Sequence, residues 1–126
     1  MKEKFEELYK ATRIDRQKSP WSRKVTFEAR LEELRKEVEE ATLAYRSGDM
    51  AHFKDELGDV YWDLTFLITM AEEKGLFAAD DVFENTLEKF RRRKPWIFND
   101  ENITEEEEVV RWNAVKKKEK QLGIKK

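Results

Sequence analysis

The chain has 126 residues, of which 43% are charged, yet its formal net charge is only -2; it contains four glycines, two prolines and no cysteine. That length suits one hydrophobic core, so a single domain over residues 1–126 is expected, and the near-balanced charge argues against whole-molecule attraction to nucleic acid or an anionic membrane. Without cysteine there are no disulfides and no thiolate metal ligands; the opening MKEKFEELYK lacks a signal-peptide core, and no apolar run approaches the roughly 20 residues of a membrane span. A cytoplasmic setting away from membranes is therefore expected.

Between the few breaks a 3.6-residue periodicity dominates, which predicts an all-α fold, a helical bundle of about five helices. The first helix is expected near residues 2–13, followed by a polar loop, RIDRQKSPW, closed by Pro20. The second begins near Thr26, places Leu31, Leu34, Val38, Ala41 and Tyr45 along one apolar face, and stops at Gly48 in RSGD. The third extends from about Met50 to Lys74, with Phe53, Leu57, Val60, Leu64, Leu67 and Ala71 as its stripe and Gly75 as its stop. The fourth starts at Asp80 or Asp81 and continues to about Arg93, where Pro95 breaks it. In the fifth, Thr104 and Glu107 have the spacing of a capping box, and lysines gather toward the C-terminal end.

The second and third helices each carry carboxylates three residues apart. Glu37 and Glu40 border the expected buried face of the second, with Glu33 one turn ahead; Glu56 and Asp59 border that of the third, with Asp63 one turn beyond. Glu32 and Glu39 turn toward water. Like charges at a helix packing edge need a counter-ion, and an all-oxygen donor set favours magnesium or manganese over zinc. The competing reading is a solvated acidic face with local pairs such as Glu33 with Lys36. His52, the only histidine, reads as a surface residue near a helix start, and a lone histidine excludes a di-iron bundle built on two Glu-x-x-His segments.

A basic run, Lys89, Arg91, Arg92, Arg93 and Lys94, has the density to embrace a polyphosphate, and Lys116, Lys117, Lys118 and Lys120 add a second. Trp21 and Trp96 follow prolines in loop-like contexts where an indole stacks on a base, whereas Trp62 lies on a core helix and Trp112 within the last helix. Packing is the default role for each.

Taken in order, SPW at 19–21, KEVEEA at 36–41, GD at 48–49, DELGDVYWDL at 55–64, EKFRRRKPWIF at 88–98 and RWNAVKKKEK at 111–120 resemble the MazG family of nucleoside triphosphate pyrophosphohydrolases along nearly the whole chain. The resemblance implies an all-α hydrolase whose active site lies between the second and third helices and is completed by later basic segments. An ungapped register through Gly48-Asp49 assigns Glu37, Glu40, Glu56 and Asp59 as the catalytic, metal-binding carboxylates, with Glu33 as an outer group; Asp63, on a mainly apolar helix, is an outer candidate open to both a ligand and a structural role, and a literal Glu-Glu-x-x-Glu search selects Glu32, Glu33 and Glu37 instead. The resemblance further implies Mg2+ as cofactor, with Mn2+ as substitute. It places Lys89, Arg92, Arg93, Trp21, Trp96, Trp112 and Lys116 around the nucleotide, in a homodimer or higher homo-oligomer. The sequence departs from the family pattern at Lys36, where a glutamate is common, at Val25 and Phe27 around Thr26, and at Lys94 and Trp96, which flank Pro95 in common histidine positions.

The reaction this implies is magnesium-dependent hydrolysis of an NTP or dNTP to the monophosphate and pyrophosphate. A related all-α dCTP or dUTP pyrophosphatase is the enzymatic alternative, and a helical oligomerisation or regulatory module the non-enzymatic one. Nucleic acid is not an expected partner.

Overall fold

In a computed structural model that describes residues 1–124, the described residues form seven helices: α1 (Lys2–Lys18), α2 (Pro20–Arg23), α3 (Phe27–Ser47), α4 (Met50–Glu73), α5 (Ala79–Arg93), α6 (Pro95–Phe98) and α7 (Glu105–Gln121). Five are long, and α2 and α6 are one-turn helices, each with proline at its start, where a missing N–H costs nothing. The helix ends follow local chemistry. The side chains of Ser19, Thr26, Asp49 and Thr104 accept hydrogen bonds from the backbone N–H of Ser22, Ala29, His52 and Glu107, and each opens a helix.

Helix α1 runs five residues past its expected end and absorbs most of the predicted loop. Nothing in RIDRQK breaks a helix, and its arginines find partners on α4: Arg13 Nη2 lies 3.2 Å from Glu72 Oε1, and Arg16 Nε donates to Glu73 Oε1 at 2.7 Å. The stop comes at Ser19 (φ -90°, ψ 114°), held extended by the proline after it.

Chain contacts cluster into two compact units, Met1–Ala79 and a second beginning at Asp80. In the first, α3 and α4 pack on each other along their lengths, joined by the Gly48-Asp49 turn, and α1 packs on α4. The core is formed by Tyr9 and Thr12 of α1, Ala41 and Ala44 of α3, and Thr65, Phe66, Thr69, Met70 and Ala71 of α4. Its threonines are satisfied within their own helices: the hydroxyls of Thr12, Thr65 and Thr69 each donate to the carbonyl four residues back at 2.8 Å.

The inward face of α3 differs from the expected one. Ala41 and Ala44 are buried and Phe27, Arg30, Leu34 and Glu37 half-buried, whereas Leu31, Val38 and Tyr45 are exposed. Two apolar series with the same seven-residue spacing run along this helix, Phe27-Leu34-Ala41 and Leu31-Val38-Tyr45, and the first is turned inward.

Gly48 closes α3 with φ 81°, and a Cβ built there meets nothing within 4 Å. The cost of Gly48→Ala is therefore conformational alone. It should destabilise the domain by about 1–2 kcal/mol, read as a lower urea midpoint; an unchanged midpoint would show that the turn tolerates a side chain.

In the second unit, α5, α6 and α7 are tied by carboxylates. Glu119 on α7 is buried and accepts from Arg92 Nε at 3.1 Å and Arg93 Nε at 3.2 Å, which hold its carboxyl below the usual range, Arg93 chiefly, against the effect of burial. Glu108 accepts from Trp96 Nε1 at 2.7 Å, and Phe90 meets Phe98 edge-on at 5.3 Å. The Thr104–Glu107 pair is only half a capping box, because the Thr104 hydroxyl bonds Glu107 Oε1 at 3.2 Å and the Glu107 carboxylate is thereby engaged.

Candidate active site

Three of the four assigned carboxylates converge. Glu37 lies on the inward stripe of α3 and Glu56 and Asp59 lie one turn apart on α4; each offers an oxygen within 4.8 Å of the other two. Glu37 Oε2 and Glu56 Oε2 are buried without a hydrogen-bond partner. The cost of this arrangement shows in the protonation equilibria. Burial first, then a hydrogen bond shared with Glu56, then the charges of Glu40, Asp59 and Glu56 push the Glu37 carboxyl up to about 7. Burial and the charges of Glu56, Asp63 and Asp55 raise Asp59 as well. Three acids of one sign, two with orphaned oxygens, form a site short of positive charge. The donor chemistry fits a hard divalent cation, magnesium or manganese, better than zinc, because every available ligand atom is a carboxylate oxygen.

Glu40 is exposed and stands outside this trio; one turn from Glu37, it acts on it through charge. Glu33 is exposed too, and its Oε1 lies 3.8 Å from Nζ of Lys36, the lysine at the departing position. Asp63 is buried and accepts from Arg30 Nη1 at 2.8 Å; its neighbour is a guanidinium. Two further side chains touch these carboxylates, His52, read from the sequence only as a surface residue, and Arg30, which the sequence did not single out. His52 is exposed as expected, but its Nε2 lies 3.0 Å from Glu56 Oε1, a contact signalled by their i, i+4 spacing. Arg30 sits two turns before Glu37 on the same stripe, and a charged residue on a packing stripe is the signal that identifies it.

Beside the trio, Ser19, Trp21, Ser22, Arg30, Glu33 and Trp62 line an open cavity of about 520 Å3 that also reaches Phe66. Trp21 lies on the one-turn helix α2 and is 84% exposed, so its indole face is free to stack.

Within the second unit, Trp112 is surrounded by cations: Arg93, Lys94 and Lys116 lie 5.8, 5.7 and 5.3 Å from its ring centre. Lys89 is half-buried on α5. Trp96 departs from expectation. It is 3% exposed with its N–H committed to Glu108, so it anchors α6 and offers no open face to a base; a one-turn helix after Pro95 replaces the expected loop and turns the ring inward.

Among the described residues no helix is long and apolar enough to cross a membrane. Residues 25–98 match the MazG nucleotide pyrophosphohydrolase domain. The chain is 33% identical over 102 residues to uncharacterized protein YabN of Bacillus subtilis (strain 168), a match spanning 80% of this chain and 21% of that protein. It is 30% identical over 102 residues to the nucleoside triphosphate pyrophosphohydrolase of Escherichia coli (strain K12), spanning 80% and 39%. To the nucleoside triphosphate pyrophosphohydrolase/pyrophosphatase MazG of Thermotoga maritima it is 32% identical over 126 residues, spanning 94% and 49%. The chain thus spans less than half the length of each of these relatives. A crystal structure of a mazG-related protein from Thermotoga maritima superposes with a TM-score of 0.83 at 31% identity, covering 89% of this chain and 98% of that one.

Proposed function

Because the chain belongs to the MazG nucleotide pyrophosphohydrolase family, we propose that it hydrolyses nucleoside triphosphates, NTP or dNTP, to the monophosphate and pyrophosphate with Mg2+ as cofactor. The observation that carries this reading is the convergence of Glu37, Glu56 and Asp59 with two buried, unpartnered oxygens. A divalent cation held there would neutralise triphosphate charge and polarise the phosphorus under attack. Glu37, Glu56 and Asp59 are the residues that would hold that cation. Glu40, exposed and close enough to act on Glu37, is the carboxylate free to take the proton of the attacking water. His52, bonded to Glu56 Oε1, fixes the orientation of that carboxylate. Lys89, Arg92, Arg93 and Lys116 bind phosphate oxygens in this proposal, a role that rests on the resemblance.

The chain is further proposed to act as a homodimer. The support is that Leu31, Val38 and Tyr45 of α3 and Leu57, Tyr61 and Leu64 of α4 leave large apolar side chains exposed, a face that a second copy could cover. Val38→Glu should leave the fold intact and shift the sedimenting species from dimer to monomer; a monomeric wild type, or an unchanged mass in the variant, refutes the proposal.

Turnover in heavy-oxygen water tests the reaction itself. Attack at the alpha phosphorus puts the label in the monophosphate and none in the pyrophosphate, whereas labelled orthophosphate with a diphosphate product would place the cut at the gamma phosphorus.

A further inference from the structure

Arg30 occupies a packing stripe where an apolar residue is the ordinary choice, and its surroundings explain its presence only in part. The guanidinium carbon lies over the Phe66 ring, 3.7 Å from its centre, and Nη1 donates to Asp63 Oδ1 at 2.8 Å. A buried ion pair of this kind is rarely a net gain in stability. The pair is also incomplete: Arg30 Nε and Asp63 Oδ2 are both buried without a partner. Ser22 Oγ is buried and unpartnered too, and Ser22 and Arg30 line the same cavity. A cavity with two indoles on its walls, one arginine short of acceptors and the Asp15 and Glu33 carboxylates at its edge has the composition of a base-reading pocket. It lies along α3 and α4 within one to two helical turns of the carboxylate trio, roughly 5–10 Å, which suits a nucleotide whose phosphates sit on the trio.

We infer that this cavity receives the base of the substrate and that Arg30, held by Asp63 and Phe66, selects a 6-oxopurine, the guanine and hypoxanthine class. The inference rests on the hydrolase reading proposed above. Arginine recognises two adjacent acceptors, and a 6-oxopurine presents O6 and N7 side by side. Its N1–H then meets a carboxylate, for which Glu33 and Asp15 are the available acceptors. Adenine turns an amino donor toward the guanidinium where the oxygen would be. Cytosine has adjacent acceptors in N3 and O2, but a single ring fills less of a cavity this size.

The test compares kcat/KM for GTP, ITP, ATP, CTP and UTP, adds 7-deaza-GTP, and repeats the series with Arg30→Lys, which keeps the charge beside Asp63 and removes the planar fork. GTP and ITP should lead by roughly tenfold or more, 7-deaza-GTP should fall toward ATP, and the GTP-to-ATP ratio should collapse toward one in the variant. A flat panel, a preference for ATP or CTP, or a ratio retained in Arg30→Lys overturns the inference. Should no triphosphate be cleaved, the hydrolase reading fails instead, and calorimetric binding of GMP against AMP decides the pocket: tighter GMP sustains it, equal or absent binding removes it. The 7-deaza comparison uses the wild-type protein and so stands even if the variant folds poorly.

Discussion

Glu56→Gln should lower kcat/KM by about three orders of magnitude, about 4 kcal/mol of transition-state stabilisation, while leaving the metal-free protein as stable as wild type or more so. The two halves of this result have one cause. The Glu56 carboxylate sits within 4.8 Å of oxygens on Glu37 and Asp59, and its charge raises both neighbours. Removing that charge relieves repulsion in the empty site and removes a ligand from the occupied one. Asp59→Asn should behave alike. A general folding defect would lower the melting temperature and activity together, so a rise or no change in melting temperature beside the lost activity separates a ligand from a structural residue. Unchanged kinetics in both variants would remove the pair from the site.

The second large effect concerns pH. The Glu37 carboxyl is raised from its ordinary range to about 7, so between roughly pH 4.5 and 7 the folded chain binds more protons than the unfolded one. Its contribution is fully present below the unfolded value and is lost as pH rises through 7. Metal-free protein should therefore lose about 1–2 kcal/mol of stability across this interval, an amount moderated by solvent screening at a site where Asp59 is exposed. Mg2+ bound as proposed would displace the proton and supply positive charge, so added Mg2+ should restore the melting temperature at pH 8 and do little at pH 5. Thermal melts with and without Mg2+ at the two pH values check the sign; a stabilisation of equal size at both would contradict it.

What the sequence disclosed follows the range of the forces involved. Helix starts at Thr26, Asp49 and Thr104 and the stop at Gly48 depend on chemistry within three or four residues, and all were legible. The extent of α1 was not, because Arg13 and Arg16 look like loop charge until Glu72 and Glu73 are placed beside them. The rotation of α3 was hidden by two apolar series of equal period, and only the packing of α4 distinguishes Ala41 and Ala44 from Val38 and Tyr45. The same rotation moves Glu37 from the border of the stripe into it, which explains why it joins Glu56 and Asp59 while Glu40 does not. Arg30 and the role of His52, legible only as a surface residue, were hidden for a related reason: each gains meaning from one partner, Asp63 across the seam and Glu56 one turn on.

The most direct test of the central claim is a titration of Mg2+ into metal-free protein with a nucleoside triphosphate present, following monophosphate and pyrophosphate separately. No product should form without the metal. The two products should then rise in equal amounts with Mg2+, and far less in Glu37→Gln. Turnover in the absence of divalent metal, or release of orthophosphate in place of pyrophosphate, would contradict the assignment of Glu37, Glu56 and Asp59 to a cation-dependent pyrophosphohydrolase site.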